Sequence, residues 1–317
     1  MNPNPPAIVL QTLLLLFLAP LVSGYMKNWK AKLQNRRGAP PWQVYLDLAK
    51  FLRKDMVLSE HASWVFSFAP YVVFLTALTA GLMVPMLIAQ APLSLFGGVL
   101  AMVGLLALGR FFLALGGLDP GSAFGGMGSS REMTISAIAE PALMLAVFTV
   151  AITAGTTDLS RIAQSTQDAA WKLLNPARVL AFAALFIVLL AETGRIPVDN
   201  PATHLELTMI HEAMLLEYSG RYLALMEWGA SIKQLVLMTL LVNVFIPVGL
   251  AGPHAPFLGL AMSLIAYLVK LTVLAAAMVV VETTNAKLRL FRVPDLLSTA
   301  FVLAALALLS TFLFYGS

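Results

Sequence analysis

Residues 256–281 read PFLGLAMSLIAYLVKLTVLAAAMVVV, a run of 26 residues with a single charge, Lys270. About 20 apolar residues in a helix cover the hydrocarbon layer of a membrane. The run is long enough, and it is apolar on all sides, as a membrane helix is. Working outward, comparable runs lie at about 7–26, 64–89, 93–116, 133–155, 177–195, 231–251 and 295–315. A closed β-barrel would show short alternating segments instead. The expected fold class is an all-α integral membrane protein of about eight transmembrane helices, with amphipathic interfacial and cytoplasmic helices.

The composition agrees. Hydrophobic residues make up 59% of the 317, and charged residues 11%, against about 25% in an ordinary soluble domain. Mean hydropathy is +0.85. A soluble globule of this size has too much surface to hide that apolar content, so a soluble enzyme, a disordered chain and a secreted disulfide scaffold are excluded. Cysteine is absent. Thiolate metal sites, iron–sulfur clusters and disulfides are therefore impossible within the chain, and redox chemistry falls to a partner.

The first run lacks a basic start and its flanking charges follow it, so it reads as a retained helix rather than a signal peptide. Basic residues set the orientation. Fourteen of the twenty Lys and Arg residues fall in the segments after runs 1, 3, 5 and 7, three in the alternate segments, and three in or beside the runs. The rich side is expected to be cytoplasmic, with both termini outside. The chain reads as one polytopic domain with cytoplasmic segments at about 27–63, 117–132, 196–230 and 282–294. Residues 42–54 have the spacing of an interfacial amphipathic helix, and 158–174 form a second candidate. Thr203 to Glu206 fits a capping box, and Gly220 is a candidate break in the helix that follows.

Ionisable groups inside membrane runs are costly and mark function. Arg110 and Lys233 lie near the ends of runs, where snorkelling is an alternative. Glu140 precedes Pro141, which can kink a helix and free a carbonyl; proton transfer and a neutral carboxyl tying two helices are both open. Glu192 and Arg195 are three residues apart, the spacing of either a modest surface pair or a point where protons enter. Lys270 sits mid-run and calls for a depressed pKa or a carboxylate partner. The acids Asp199, Glu206, Glu212, Glu217 and Glu227 are dense for a chain with 16 in all. No HExxH pattern, nucleotide-binding loop or Ser/His/Asp arrangement occurs, and the basic excess does not point to nucleic acid.

Four blocks are recognisable together: QNRRGAP (34–40) with LDLAKFLRKD (46–55); GRFFLALGGLDPGSAFGGMGSSRE (109–132); AETGRIPVDNPATHLE (191–206) with LEYSGRYLALMEWGASIKQL (216–235); and KLRLFRVPDLL (287–297). In this order they resemble the subunit 1 family of respiratory complex I, which includes the large membrane subunits of group 4 energy-converting NiFe hydrogenases. The GLDPGSAF and SSRE forms are similar to the hydrogenase branch, of the formate hydrogenlyase and hydrogenase-4 type. Complex I members commonly carry two more acids where this chain has Ala202 and His204.

The resemblance implies a non-catalytic subunit that docks a peripheral redox arm and couples electron transfer to proton or sodium movement. It implies an ion pathway through Glu140, Glu192, Arg195, Asp199, Glu206, Glu217 and Lys233, to which the mid-run Lys270 is added from its depth alone, and docking through Arg36, Arg37, Arg131 and Glu132. It implies no cofactor in this chain, with a NiFe centre and iron–sulfur clusters in partners. Those partners would be hydrogenase large and small subunits, an iron–sulfur subunit and antiporter-like membrane subunits, with the lipid bilayer of a bacterial inner membrane around the chain. The alternative it leaves open is the quinone-site membrane subunit of a complex I-type NADH dehydrogenase.

Overall fold

The computed structural model describes residues 5–93, 98–167, 175–199, 209–252 and 255–315. The described residues are helical apart from their connections and one isolated bridge between Ile88 and Ala251. In chain order the helices are α1 (Pro5–Leu33), α2 (Gln43–Arg53), α3 (Trp64–Met83), α4 (Val99–Leu118), α5 (Ala123–Ala154) and α6 (Leu159–Gln167). They continue with α7 (Pro176–Glu192), α8 (His211–Leu215), α9 (Gly220–Thr239), α10 (Phe257–Thr284) and α11 (Val293–Tyr315). A π-helical turn, Leu240–Val244, prolongs α9.

Among the described residues seven helices are long and apolar enough to cross a membrane. The eighth expected span is α7, with 17 residues, about 26 Å of helix and close to the lower limit for crossing. It is short because both ends are fixed. Asn175 caps it by accepting from the Ala177 N–H, Pro176 occupies its first position, and Gly194 turns away at a φ of 57°. The run expected to reach 89 ends at Met83 and the one expected from 93 begins at Val99, whereas two other starts move outward. The helix expected from 133 begins at Ala123, because the Ser122 hydroxyl caps the Gly125 N–H and the polar GGMGSSRE stretch continues the helix against its neighbours. The helix expected from 231 begins at Gly220 and ends in the π turn. Gly220 starts this helix rather than breaking one: its φ is 53°, and a Cβ there would meet the Asp55 and Lys54 carbonyls at 2.9 Å. The amphipathic helix expected at 42–54 is α2, and the one at 158–174 is α6 as far as Gln167.

Helix α3 packs on α4 and α9; α5 packs on α4, α7 and α11; α1 packs on α9 and α10, with α2 laid across α1 and α9. Two prolines shape this packing. Proline supplies no N–H to the carbonyl four residues earlier, and a bare carbonyl in a membrane costs several kcal/mol. Pro20 strips Leu16, and the Trp228 indole N–H of α9 donates to Leu16 O at 3.0 Å. Pro70 strips Phe66, and the Tyr218 hydroxyl donates to Phe66 O at 3.2 Å while its ring stacks on Phe66 at 4.0 Å. In both cases an aromatic residue from the α8–α9 region repairs an early helix.

Candidate functional site

Between α1, α3, α4, the end of α7, α8, α9 and the end of α10 lies a cavity of about 540 Å³. One wall is apolar, with Val73, Ala77, Leu106, Leu113 and Met226. The mouth is charged, with Lys27, Arg36, Arg37, Glu212 and Glu227. Its floor holds Arg110, Glu192 and Lys233.

From the floor a series of charges runs through the helix wall. Lys233 Nζ lies 2.8 Å from Glu192. Arg110 Nη2 donates to Glu192 at 2.9 Å. Arg110 Nη1 stands 2.8 Å from Glu140, close as an ion pair but without the angle of a hydrogen bond. The Arg110 and Glu192 side chains are each 4% exposed, whereas Glu140 is 34% exposed. Glu140 lies between exposed Ala137 and Pro141 on the outer side of α5. The four alternating charges therefore lead from the cavity to the lateral surface of the bundle. Glu192 is reached from both sides because α7 ends at that residue.

That ending also corrects the pairing suggested by spacing. Glu192 and Arg195 do not pair, because the Thr193–Gly194 turn sends them apart. Arg195 Nη1 bonds Glu282 at 2.7 Å and Nη2 bonds Gln234 at 2.9 Å, and Lys30 shares Glu282 at 3.0 Å. Asp199 is buried, receives the Ile210 N–H at 3.2 Å and pairs with Lys287 at 2.7 Å. Segments assigned to one side of the membrane, from the first loop, the motif after α7 and the loop before α11, thus meet at one end of the bundle.

The docking candidates separate. Arg36 and Arg37 are exposed at the cavity mouth. Arg131 instead donates to the Met209 carbonyl at 2.9 Å. Glu132 is buried and lines a small void of about 10 Å³ with Glu192, Asp199 and His211, enough for one water. It faces the interior of its own chain. Glu217 is exposed in the turn before α9 and does not line the cavity. Glu206, His204 and the expected capping box at Thr203 lie outside the described residues.

Lys270 stands apart from this series. Its ammonium donates to Asn243 Oδ1 at 2.5 Å and to the Ile246 carbonyl at 3.2 Å. Arg178, at the start of the run expected from 177, is buried in α7 and donates to the Val244 and Phe245 carbonyls at 2.6 and 3.0 Å. The π turn leaves these carbonyls without helical partners, and a helix C-terminus favours cations. Sequence reasoning missed both Arg178 and Asn243, because a π turn has no composition signal; an arginine inside an apolar run was the one available clue.

Burial and the neighbouring Glu227 push the Glu212 carboxyl up from its ordinary 4.5; Asp199 adds to this, and His211 and Lys27 oppose it. The folded protein therefore holds this proton to higher pH than the unfolded chain. The resulting stabilisation is full below about pH 4.5 and is lost as pH rises through the raised value. Glu212→Gln should remove that loss. Its thermal stability relative to the parent should rise as pH is raised above about 4.5; a difference that is constant with pH refutes the assignment.

A sequence model of the family described as NADH dehydrogenase matches residues 6–313. The chain is 36% identical over 303 residues to formate hydrogenlyase subunit 4 of Escherichia coli (strain K12), covering 95% of this chain and 97% of that protein. It is 35% identical over 298 residues to hydrogenase-4 component C of the same organism, covering 94% and 92%. A solved chain of the membrane-bound sulfane sulfur reductase, an archaeal respiratory membrane complex, superposes with a TM-score of 0.82 at 20% identity, covering 96% of this chain and 99% of that one. That likeness shows the fold.

Proposed function

The chain belongs to the NADH dehydrogenase family, and from that premise we propose that it is the anchoring and ion-coupling membrane subunit of a group 4 NiFe hydrogenase-type complex. At the coarser level it is a multi-pass membrane subunit of the hydrogenase and complex I-like group, built to work with partner subunits. In this reading the partners are hydrogenase large and small subunits, an iron–sulfur subunit and antiporter-like subunits. The NiFe centre and iron–sulfur clusters sit in those partners, and the membrane is the bacterial inner membrane with both termini outside.

The observation that carries the reading is the series Lys233–Glu192–Arg110–Glu140 from the cavity to the lateral surface. Arg110 lies between two carboxylates. A proton arriving at Glu192 removes the negative charge that holds the guanidinium on the cavity side and shifts the balance toward Glu140. Proton or sodium transfer at Glu140 does the reverse. Coupling then needs two states of the redox partner that differ in their effect on Glu192.

Glu140→Gln tests this. The variant complex should assemble and oxidise or evolve hydrogen, while ion translocation in proteoliposomes falls by about ten-fold or more. Full translocation would sink the pathway. For docking, Arg36→Glu together with Arg37→Glu should lower recovery of the peripheral arm on mild solubilisation, because two exposed cations at the cavity mouth become anions. Unchanged recovery would remove those two residues from the interface.

A second reading has its own support. The apolar wall of Val73, Ala77, Leu106, Leu113 and Met226 gives the cavity the volume and character of a small-molecule pocket, which suits the quinone-site subunit of a complex I-type dehydrogenase. Saturable, competitive binding of a quinone analogue to the purified complex would favour it.

A further inference from the structure

The outward side of α10 carries Leu258, Met262, Ile265, Val269 and Val273, each between 56 and 71% exposed. Their spacing of three and four residues puts them on one face. Apolar exposure alone suits lipid as well as protein. The half-buried Lys270 at the edge of this face distinguishes the two. It lies 12 residues beyond Leu258, about 18 Å into the helix at 1.5 Å per residue. Both of its partners, the Asn243 amide oxygen and the Ile246 carbonyl, are neutral, and an ammonium has three donors. Among the described residues no carboxylate comes within ion-pair distance of it. Lys30, Arg110, Arg195 and Lys233, by contrast, each touch a glutamate. A cation at this depth and partly open to the side is costly against hydrocarbon.

We infer that the outward face of α10 is covered by a membrane-spanning helix of another subunit, which brings an Asp or Glu level with Lys270. A second copy of this chain does not fit, because the same face would set lysine against lysine. The inference concerns assembly and stands whether or not the chain couples ions.

The test uses the complex purified from its native membrane through a tag on this chain. A photo-crosslinking amino acid at Val269 or Ile265 should capture one membrane subunit, within a span that holds an acidic residue near its middle. Lys270→Glu should lower recovery of that subunit by roughly ten-fold or more, since like charges face each other in the interface. Changing the partner's acid to lysine in the same strain should bring recovery back to within about two-fold of the parent. Where Lys270→Glu is itself poorly recovered, the swapped pair decides: rescue supports the contact and failure to rescue overturns it. Crosslinks to lipid alone, a captured span without an acid, or undiminished recovery of the partner in Lys270→Glu also overturn it.

Discussion

Replacing Arg110 with methionine should destabilise the chain by about 3–5 kcal/mol, the range for removing one partner from a buried ion pair. Arg110 is the single cation between Glu140 and Glu192, at 2.8 and 2.9 Å. Without it Glu192 keeps Lys233, but Glu140 becomes an unpaired charge on the wall of the bundle. The expected readout is a lower unfolding midpoint in detergent, and the double variant Arg110→Met with Glu140→Gln should recover most of it. That double variant leaves one cation and one anion in the series. A loss of equal size in both variants would mean that the guanidinium matters for packing and not for charge balance. Methionine keeps much of the arginine stem's volume, so the comparison isolates the charge.

Glu282→Gln should be comparably damaging, again about 3–5 kcal/mol, while Lys30→Met should cost far less. The Glu282 side chain is 2% exposed and binds both Lys30 and Arg195. Neutralising it leaves two cations facing each other, beside an Arg195 whose Nε already has no hydrogen-bond partner among the described residues. Removing Lys30 instead leaves the Arg195–Glu282 pair intact, and Lys30 is the more exposed member at 18%. Unfolding of the two variants side by side checks the asymmetry. Equal effects would show that Glu282 acts through Lys30 alone.

The helices were legible because lipid allows few alternatives: once a run is long and apolar, backbone hydrogen bonding forces a helix. The ends were less legible. The stretch from Ala123 to Glu132 reads as polar and glycine-rich, yet it forms the first turns of α5, because Gly125 and Gly128 let α4 and α8 approach closely. Of the candidate site, Glu140, Glu192 and Lys233 are joined as a series by a residue the sequence marked only as a candidate for snorkelling, Arg110. One-dimensional spacing suggested Glu192 with Arg195. The partners that actually meet are 41, 82 and 87 positions apart, and spacing carries no trace of such pairs. Lys270 stands out in the sequence as a charge in mid-run, but its neighbours Asn243 and Ile246 depend on a π turn that no periodicity announces.

The two proline repairs have a consequence for the order of synthesis. The Leu16 carbonyl is answered by a donor 212 residues later, and that of Phe66 by one 152 residues later. At about 5–20 residues per second, α1 waits roughly 10–40 seconds for Trp228 to be made. During that interval its bare carbonyl needs water, a translocon wall or a chaperone at that depth. The early helices are therefore unfinished until α9 arrives, and a chain truncated before residue 218 carries two unanswered carbonyls.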